Sequence, residues 1–169
     1  MPDPFQLLGL PPSFDLTNRQ IEAAYLARVA TLHPDSADET AEGIAALNDA
    51  RAALLNAEVR GQALLETLGG PDAKTCPDLP PTYLVEIMEH RTEIEDDLAS
   101  NADSARPKWT AWAVAERARI VEGLRPLFAQ ATRESSSLRR QIRIDLNTLR
   151  YIERLIEQLK PDDEHPGSA

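Results

Sequence analysis

The residue types best able to do chemistry in this chain stand together at His33-Pro34-Asp35. Pro34 has no amide donor and a locked φ, so an imidazole and a carboxylate are held on a stiffened turn at little ordering cost. Such a turn suits docking to a basic partner surface through charge-assisted hydrogen bonds. It makes a poor enzyme site, because no nucleophile or second base accompanies it in the nearby sequence. Taken alone, the tripeptide reads equally as a cap that ends a helix and opens a loop. Other candidates are weaker. His90 and His165 lack partners at metal-ligand spacing, and His90 reads as helix surface. Cys76 has only Lys74 nearby to activate its thiol. Trp109 and Trp112 are spaced for burial in a bundle rather than for stacking on a ligand. Arg139, Arg140 and Arg143 form a basic cluster, read as solvated face first and partner contact second. No metal and no cofactor is expected, and catalysis is the least favoured class.

The elements that must position the turn are helical. Thr17 can accept from the amide three residues on, Gln20 can reach back to the amide of Thr17, and Leu16 and Ile21 flank this capping box at hydrophobic-staple spacing. From there Ile21, Tyr25, Val29 and Leu32 form one apolar stripe, and Pro34 stops the helix at His33. After a polar stretch over 33–41, apolar residues from Ile44 to Leu68 mark a second long helix, closed by Gly69 and Gly70. Together they make an antiparallel hairpin whose open end Phe5, Leu7 and Leu8 can cover.

Residues 69–81 hold two glycines and four prolines and read as a linker. Three helical segments follow, over roughly 82–100, 107–134 and 137–160. Leu84, Ile87, Met88, Ile94 and Leu98 stripe the first; Trp109, Trp112, Ile120, Leu124 and Phe128 stripe the second, where Pro126 is expected to introduce a kink. The third carries a leucine and isoleucine stripe from Leu138 to Leu159. Strand alternation is missing, so the expected class is all-α: a helical hairpin over 1–70, a linker over 71–81, a three-helix bundle over 82–161 and a polar tail over 162–169.

Charge narrows the function classes. With 28 Asp and Glu against 18 Lys and Arg, for a net of -10, a sequence-independent nucleic-acid binder is disfavoured, since that task needs cations. One cysteine fits a reducing compartment, with the cytoplasm as default. No apolar run approaches the ~20 residues that span a bilayer, and the N-terminus lacks the pattern of a secretory signal. A soluble cytoplasmic protein without nucleic-acid or membrane partners is expected.

Tyr25 with the tripeptide, then Leu47-Asn48-Asp49-Ala50, Leu54 and Arg60, resemble the J-domain pattern of DnaJ-type proteins. The opening Phe5-Gln6-Leu7-Leu8-Gly9-Leu10-Pro11 is similar to one subgroup, the HscB or Jac-type co-chaperones. Past the linker, Leu79 to Glu95 resembles the segment that opens the C-terminal bundle of that family, and Leu149 to Leu155 resembles its closing helix. The likeness runs in order over nearly the whole chain. It implies a J domain that stimulates the ATPase of an HscA/DnaK-class chaperone and a bundle that holds the iron–sulfur scaffold IscU, assisting cluster assembly or transfer without covalent chemistry of its own. Carried over by position, it implies His33, Pro34 and Asp35 for the chaperone contact, with Arg28 and Arg19 beside them and Tyr25 as support. For the scaffold it implies Leu84, Val85, Met88, Glu89 and Asp96, with Tyr151 from the last helix. Periodicity alone reads Leu84 and Met88 as core.

Several positions depart from the family pattern. The helix before the tripeptide has only Arg19 and Arg28 as cations, Arg28 stands where a core leucine is common, and Ser36 replaces a lysine. Arg51 stands where an aromatic is common, and Ala57 where a proline is. A divergent member is implied, with less electrostatic steering. The alternatives are a J-like helical adaptor that does not stimulate an ATPase, and a J protein with another client.

Overall fold

A computed structural model describes residues 2–31 and 37–161, with side chains from residue 41 onward in the second stretch. The described residues form six helices and no strand: α1 (Pro4–Leu8), α2 (Asn18–Val29), α3 (Ala37–Leu55), α4 (Ala57–Thr67), α5 (Pro81–Gln130) and α6 (Ser136–Gln158). The capping box at the start of α2 forms as its residues require. The Thr17 amide donates to Gln20 Oε1 at 2.9 Å, and the Gln20 amide donates to Thr17 Oγ1 at 3.3 Å. Leu16 and Ile21 are both buried beneath it.

The second hairpin helix is not continuous. Asn56 leaves helical geometry and its side chain accepts from the Val59 amide at 3.0 Å, which ends α3 and starts α4. An asparagine competes with the helical ladder through its own amide oxygen, so a one-residue break forms where the apolar pattern runs on. The buried Arg60 repairs the junction: its guanidinium donates to the Leu54 carbonyl and, at 3.0 Å, to that of Phe14. Burial, with Arg125 and Arg117 nearby, moves Arg60 below its ordinary pKa. Gly69, at φ 69°, takes the left-handed conformation that ends α4.

In the second half, two expected helices run on as α5. Its only non-helical residue is Asn101, at φ -159° and ψ 90°. Pro126 and Pro107 stay within helical backbone. The break therefore falls at Asn101, whose side chain accepts from the Ser104 amide at 3.3 Å and caps the helix that resumes. Across the kink Asp97 clips the two pieces together, accepting from Lys108 Nζ at 2.6 Å and Trp109 Nε1 at 2.9 Å. Those bonds, Lys108 first, hold its carboxyl below the ordinary range.

One apolar cluster runs through both halves. Phe5, Ile21 and Leu54 from the first belong to the same buried set as Leu124, Leu146 and Ile152 from the second. Phe14 stacks on Phe128 at 4.7 Å, and Gly61 of α4 lies so close to α6 that an added Cβ would meet Leu146 at 2.6 Å. A smaller cluster of Ile94, Ala105, Trp109 and Leu159 closes the far end of the bundle.

Candidate functional site

His33, Pro34 and Asp35 lie outside the described residues; the helices that bring the chain to and from them do not. Tyr25 on α2 donates its hydroxyl to Asn48 Oδ1 on α3 at 2.8 Å, and the Arg51 guanidinium lies 5.3 Å from its ring. Arg51 also donates to both Glu22 carboxylate oxygens, at 2.7 and 2.8 Å. The bidentate pair holds Glu22 below the ordinary carboxylate range and Arg51 above its own, the hydrogen bond being the larger cause in each. Arginine thus does at this position the crossing work that an aromatic would do by packing.

Arg19 and Arg28 are exposed but sit on different sides of α2. Arg28 lies over α1, close enough that a Cβ on Gly9 would meet its Nη2 at 2.7 Å. The outward side carries Arg19, Ala23 and Ala30 with Leu26, which is 63% exposed. Sequence reasoning passed over Leu26. Its signal was phase: it follows Tyr25 directly and falls off the Ile21-Tyr25-Val29 stripe. Val29 packs against the core in place of Arg28.

On α5 the stripe resolves into two sides. Tyr83, Ile87 and Ile94 are buried, whereas Leu84, Val85 and Met88 are 47%, 58% and 64% exposed. The core reading of Leu84 and Met88 is therefore corrected: α6 and the stretch of α5 beyond Asn101 cover the Tyr83-Ile87-Ile94 side of this segment, and Leu84 and Met88 face away from it. Glu89, Thr92 and Asp96 are exposed and share the outward arc with the three apolar side chains. Tyr151 of α6 borders this arc, half-buried in a cleft of about 320 Å³ with Ile87, His90, Arg91 and Arg154. His90 is not simple surface either, since its ring lies 4.5 Å from that of Trp112. Trp109 is buried.

Of the arginine cluster on α6, Arg139 and Arg143 are drawn into the fold, whereas Arg140 stays on the exposed face. Arg139 donates to the Leu68 and Gly69 carbonyls at 2.7 and 2.5 Å, taking up the end of α4. Arg140 donates to Asp78 at 2.9 Å. Arg143 is fully buried, 3.7 Å from Glu58 of α4, with its Nε donating to Asn147 at 3.1 Å. Arg150 donates to the same Glu58 at 2.7 and 3.0 Å. Asn147 in turn donates to the Cys76 and Asp78 carbonyls at 2.9 Å each. The Gly- and Pro-rich stretch is thus strapped along α6, with Cys76 buried under it. Composition gave no hint of this, because the anchors are all polar side chains more than sixty residues away.

Among the described residues no group of His, Cys, Asp and Glu could hold a metal ion, and no helix is long and apolar enough to cross a membrane. No family model matches the chain. A co-chaperone protein HscB homolog of Neisseria gonorrhoeae is 30% identical over 135 residues, covering 75% of this chain and 81% of that one. A homolog of the same name from Neisseria meningitidis is 32% identical over 106 residues, covering 57% and 64%. In fold the chain is similar to the human co-chaperone protein HscB, with a TM-score of 0.73 at 23% identity over 93% of this chain and 80% of that one. It is also similar to the chaperone HscB from Vibrio cholerae, with a TM-score of 0.61 at 22% identity over 94% and 99%.

Proposed function

We propose, on the premise that this chain belongs to the HscB co-chaperone family, that it stimulates the ATPase of an HscA/DnaK-class chaperone and delivers the iron–sulfur scaffold IscU to it in the cytoplasm. In this reading residues 1–70 act as the J domain, 71–81 as the connection and 82–161 as the scaffold-binding bundle. His33, Pro34 and Asp35 engage the chaperone, with Arg19 and Leu26 on the adjoining outward side of α2. Leu84, Val85, Met88, Glu89 and Asp96 engage the scaffold, flanked by Tyr151.

The observation that carries the reading is the outward arc of α5. Three large apolar side chains stand in solvent within two residues of buried ones, and neither helix propensity nor packing requires them there. Contiguous apolar exposure rimmed by carboxylates marks a partner surface. The mechanism is coupling: cargo bound on α5 is brought to the chaperone recruited by the turn, and the shared core and strapped connection favour one fixed presentation of the two. Binding of the turn then favours the hydrolysis-competent chaperone state when cargo is present.

The test is His33→Gln assayed with the cognate chaperone and scaffold. Stimulation of ATP hydrolysis is expected to vanish while scaffold binding persists; undiminished stimulation would sink the assignment. A second reading, an adaptor without ATPase stimulation, draws on the few cations of α2. It predicts no stimulation by the unaltered chain in the same assay.

A further inference from the structure

The outer side of the first half carries a second surface that the co-chaperone reading does not use. A groove of about 420 Å³ lies between α1, α3 and α4. Its wall on α3 is Ala46, Asp49, Ala50 and Ala53, and its wall on α4 is Val59, Gln62, Ala63 and Glu66. Both sets follow the i, i+3, i+4, i+7 spacing of a single helix side. Leu7 and Pro4 of α1 close one end.

Two helix sides that meet at an angle with alanines at their centres leave room for a third helix at close range, since small residues permit short interaxial distances. Alanine supplies the floor but little apolar bulk, so the bulk must come from the occupant. Charge says which occupant. The lining residues include the carboxylates of Asp3, Asp49 and Glu66 and no cation. Asp49 and Glu66 are exposed, and neither has an ion-pair partner among the described residues. The site therefore offers negative potential around a narrow apolar floor.

We propose that this groove docks an amphipathic helix of a partner protein, one that presents leucine-sized side chains at helical spacing and lysine or arginine beside them. Its α3 wall starts well inside that helix, Ala46 being nine residues past Ala37, roughly 14 Å of helix rise from the end of α3 that follows the tripeptide in sequence. A partner held here can coexist with a chaperone on the turn and a scaffold on α5.

The experiment uses the full chain and a synthetic amphipathic helix of leucine and lysine, with a leucine and glutamate helix as the counter-probe. Amide chemical shifts are expected to move in one patch at Ala46, Asp49, Ala53, Gln62 and Ala63 with the lysine probe and not with the glutamate probe. Asp49→Lys with Glu66→Lys, both at exposed positions, should weaken binding about tenfold or more, with circular dichroism checking that the variant folds. Ala53→Phe should do the same by filling the floor, with circular dichroism confirming its fold. Three outcomes overturn the proposal: shifts scattered over the acidic surface, affinity untouched by the charge-reversed variant, or concentration-dependent self-association that Ala53→Phe abolishes.

Discussion

Leu84 and Met88 are where a single residue decides between core and partner. Each is adjacent in sequence to a buried neighbour, Tyr83 or Ile87, and each satisfies helical spacing. Spacing cannot say which of two apolar sides on one helix the bundle covers; the arrangement of α6 and of α5 beyond Asn101 settles that. Exposure makes the two sides separable by measurement. Leu84→Ala with Met88→Ala is expected to leave thermal stability within about 0.5 kcal/mol and to weaken scaffold capture by about tenfold or more. Ile87→Ala, from the covered side, should cost about 2–5 kcal/mol by opening a cavity. Asp145 gives a test of the opposite sign. Burial raises its carboxyl above the ordinary value, and the one hydrogen bond from Gln141, at 3.0 Å, does not offset that. A raised carboxyl disfavours the charged folded state once pH exceeds the unfolded value near 3.8. Asp145→Asn should therefore raise the melting temperature at pH 7, with the gain disappearing in acid.

Among the elements, α2 and α3 flank the tripeptide in sequence, and an ion pair joins them where an aromatic contact was expected. Glu22 has its pKa lowered by Arg51. A depressed carboxyl contributes stability above its unfolded value of about 4.5, and that contribution is lost as pH falls through the folded value. Glu22→Gln should thus melt lower than the unaltered chain at pH 7, the difference shrinking as pH falls below the unfolded value and vanishing once the folded carboxyl is protonated, read by thermal unfolding over a pH series. On the proposed function, the same element sets how a chaperone contact would respond to salt. With Arg28 laid over α1 and Leu26 on the outward side, ATPase stimulation should fall little as salt rises, because few cations steer the encounter. The capping box of α2 was legible because its signal is local, confined to Thr17, Gln20, Leu16 and Ile21. The breaks at Asn56 and Asn101 were not: an asparagine ends a helix only when tertiary partners such as Arg60 take over the freed carbonyls. Pro126, by contrast, makes no break: its backbone stays within helical φ/ψ.

Across the whole molecule the two halves read from sequence as separate units share one buried cluster. The repeated leucines show that each helix has an apolar side, but not that α4 and α6 turn theirs toward each other. Nor does the sequence reveal the buried charges that tie them: Glu58 of α4, held by Arg150 and facing Arg143. Burial, and then Arg150, pushes the Arg143 pKa down, so that cation depends on Glu58 for compensation. The dependence is not symmetrical. Arg143→Met leaves Glu58 bonded to Arg150 and replaces a desolvated cation by an apolar chain, which should be neutral or stabilising by about 1–4 kcal/mol. Glu58→Ala leaves two arginines without their shared carboxylate, one of them fully buried, and should cost about 3–5 kcal/mol. Adding Arg143→Met to Glu58→Ala should recover much of that loss, as coupled neighbours do. Trp109 and Trp112 lie in α5, so their fluorescence during urea unfolding reports the second half of the chain. If the halves form one cooperative unit, Glu58→Ala in the first half shifts that tryptophan transition to lower urea by its full cost. A transition that stays in place would mean that the bundle holds itself together without α4, and that the proposed cargo and chaperone sites are free to move relative to one another.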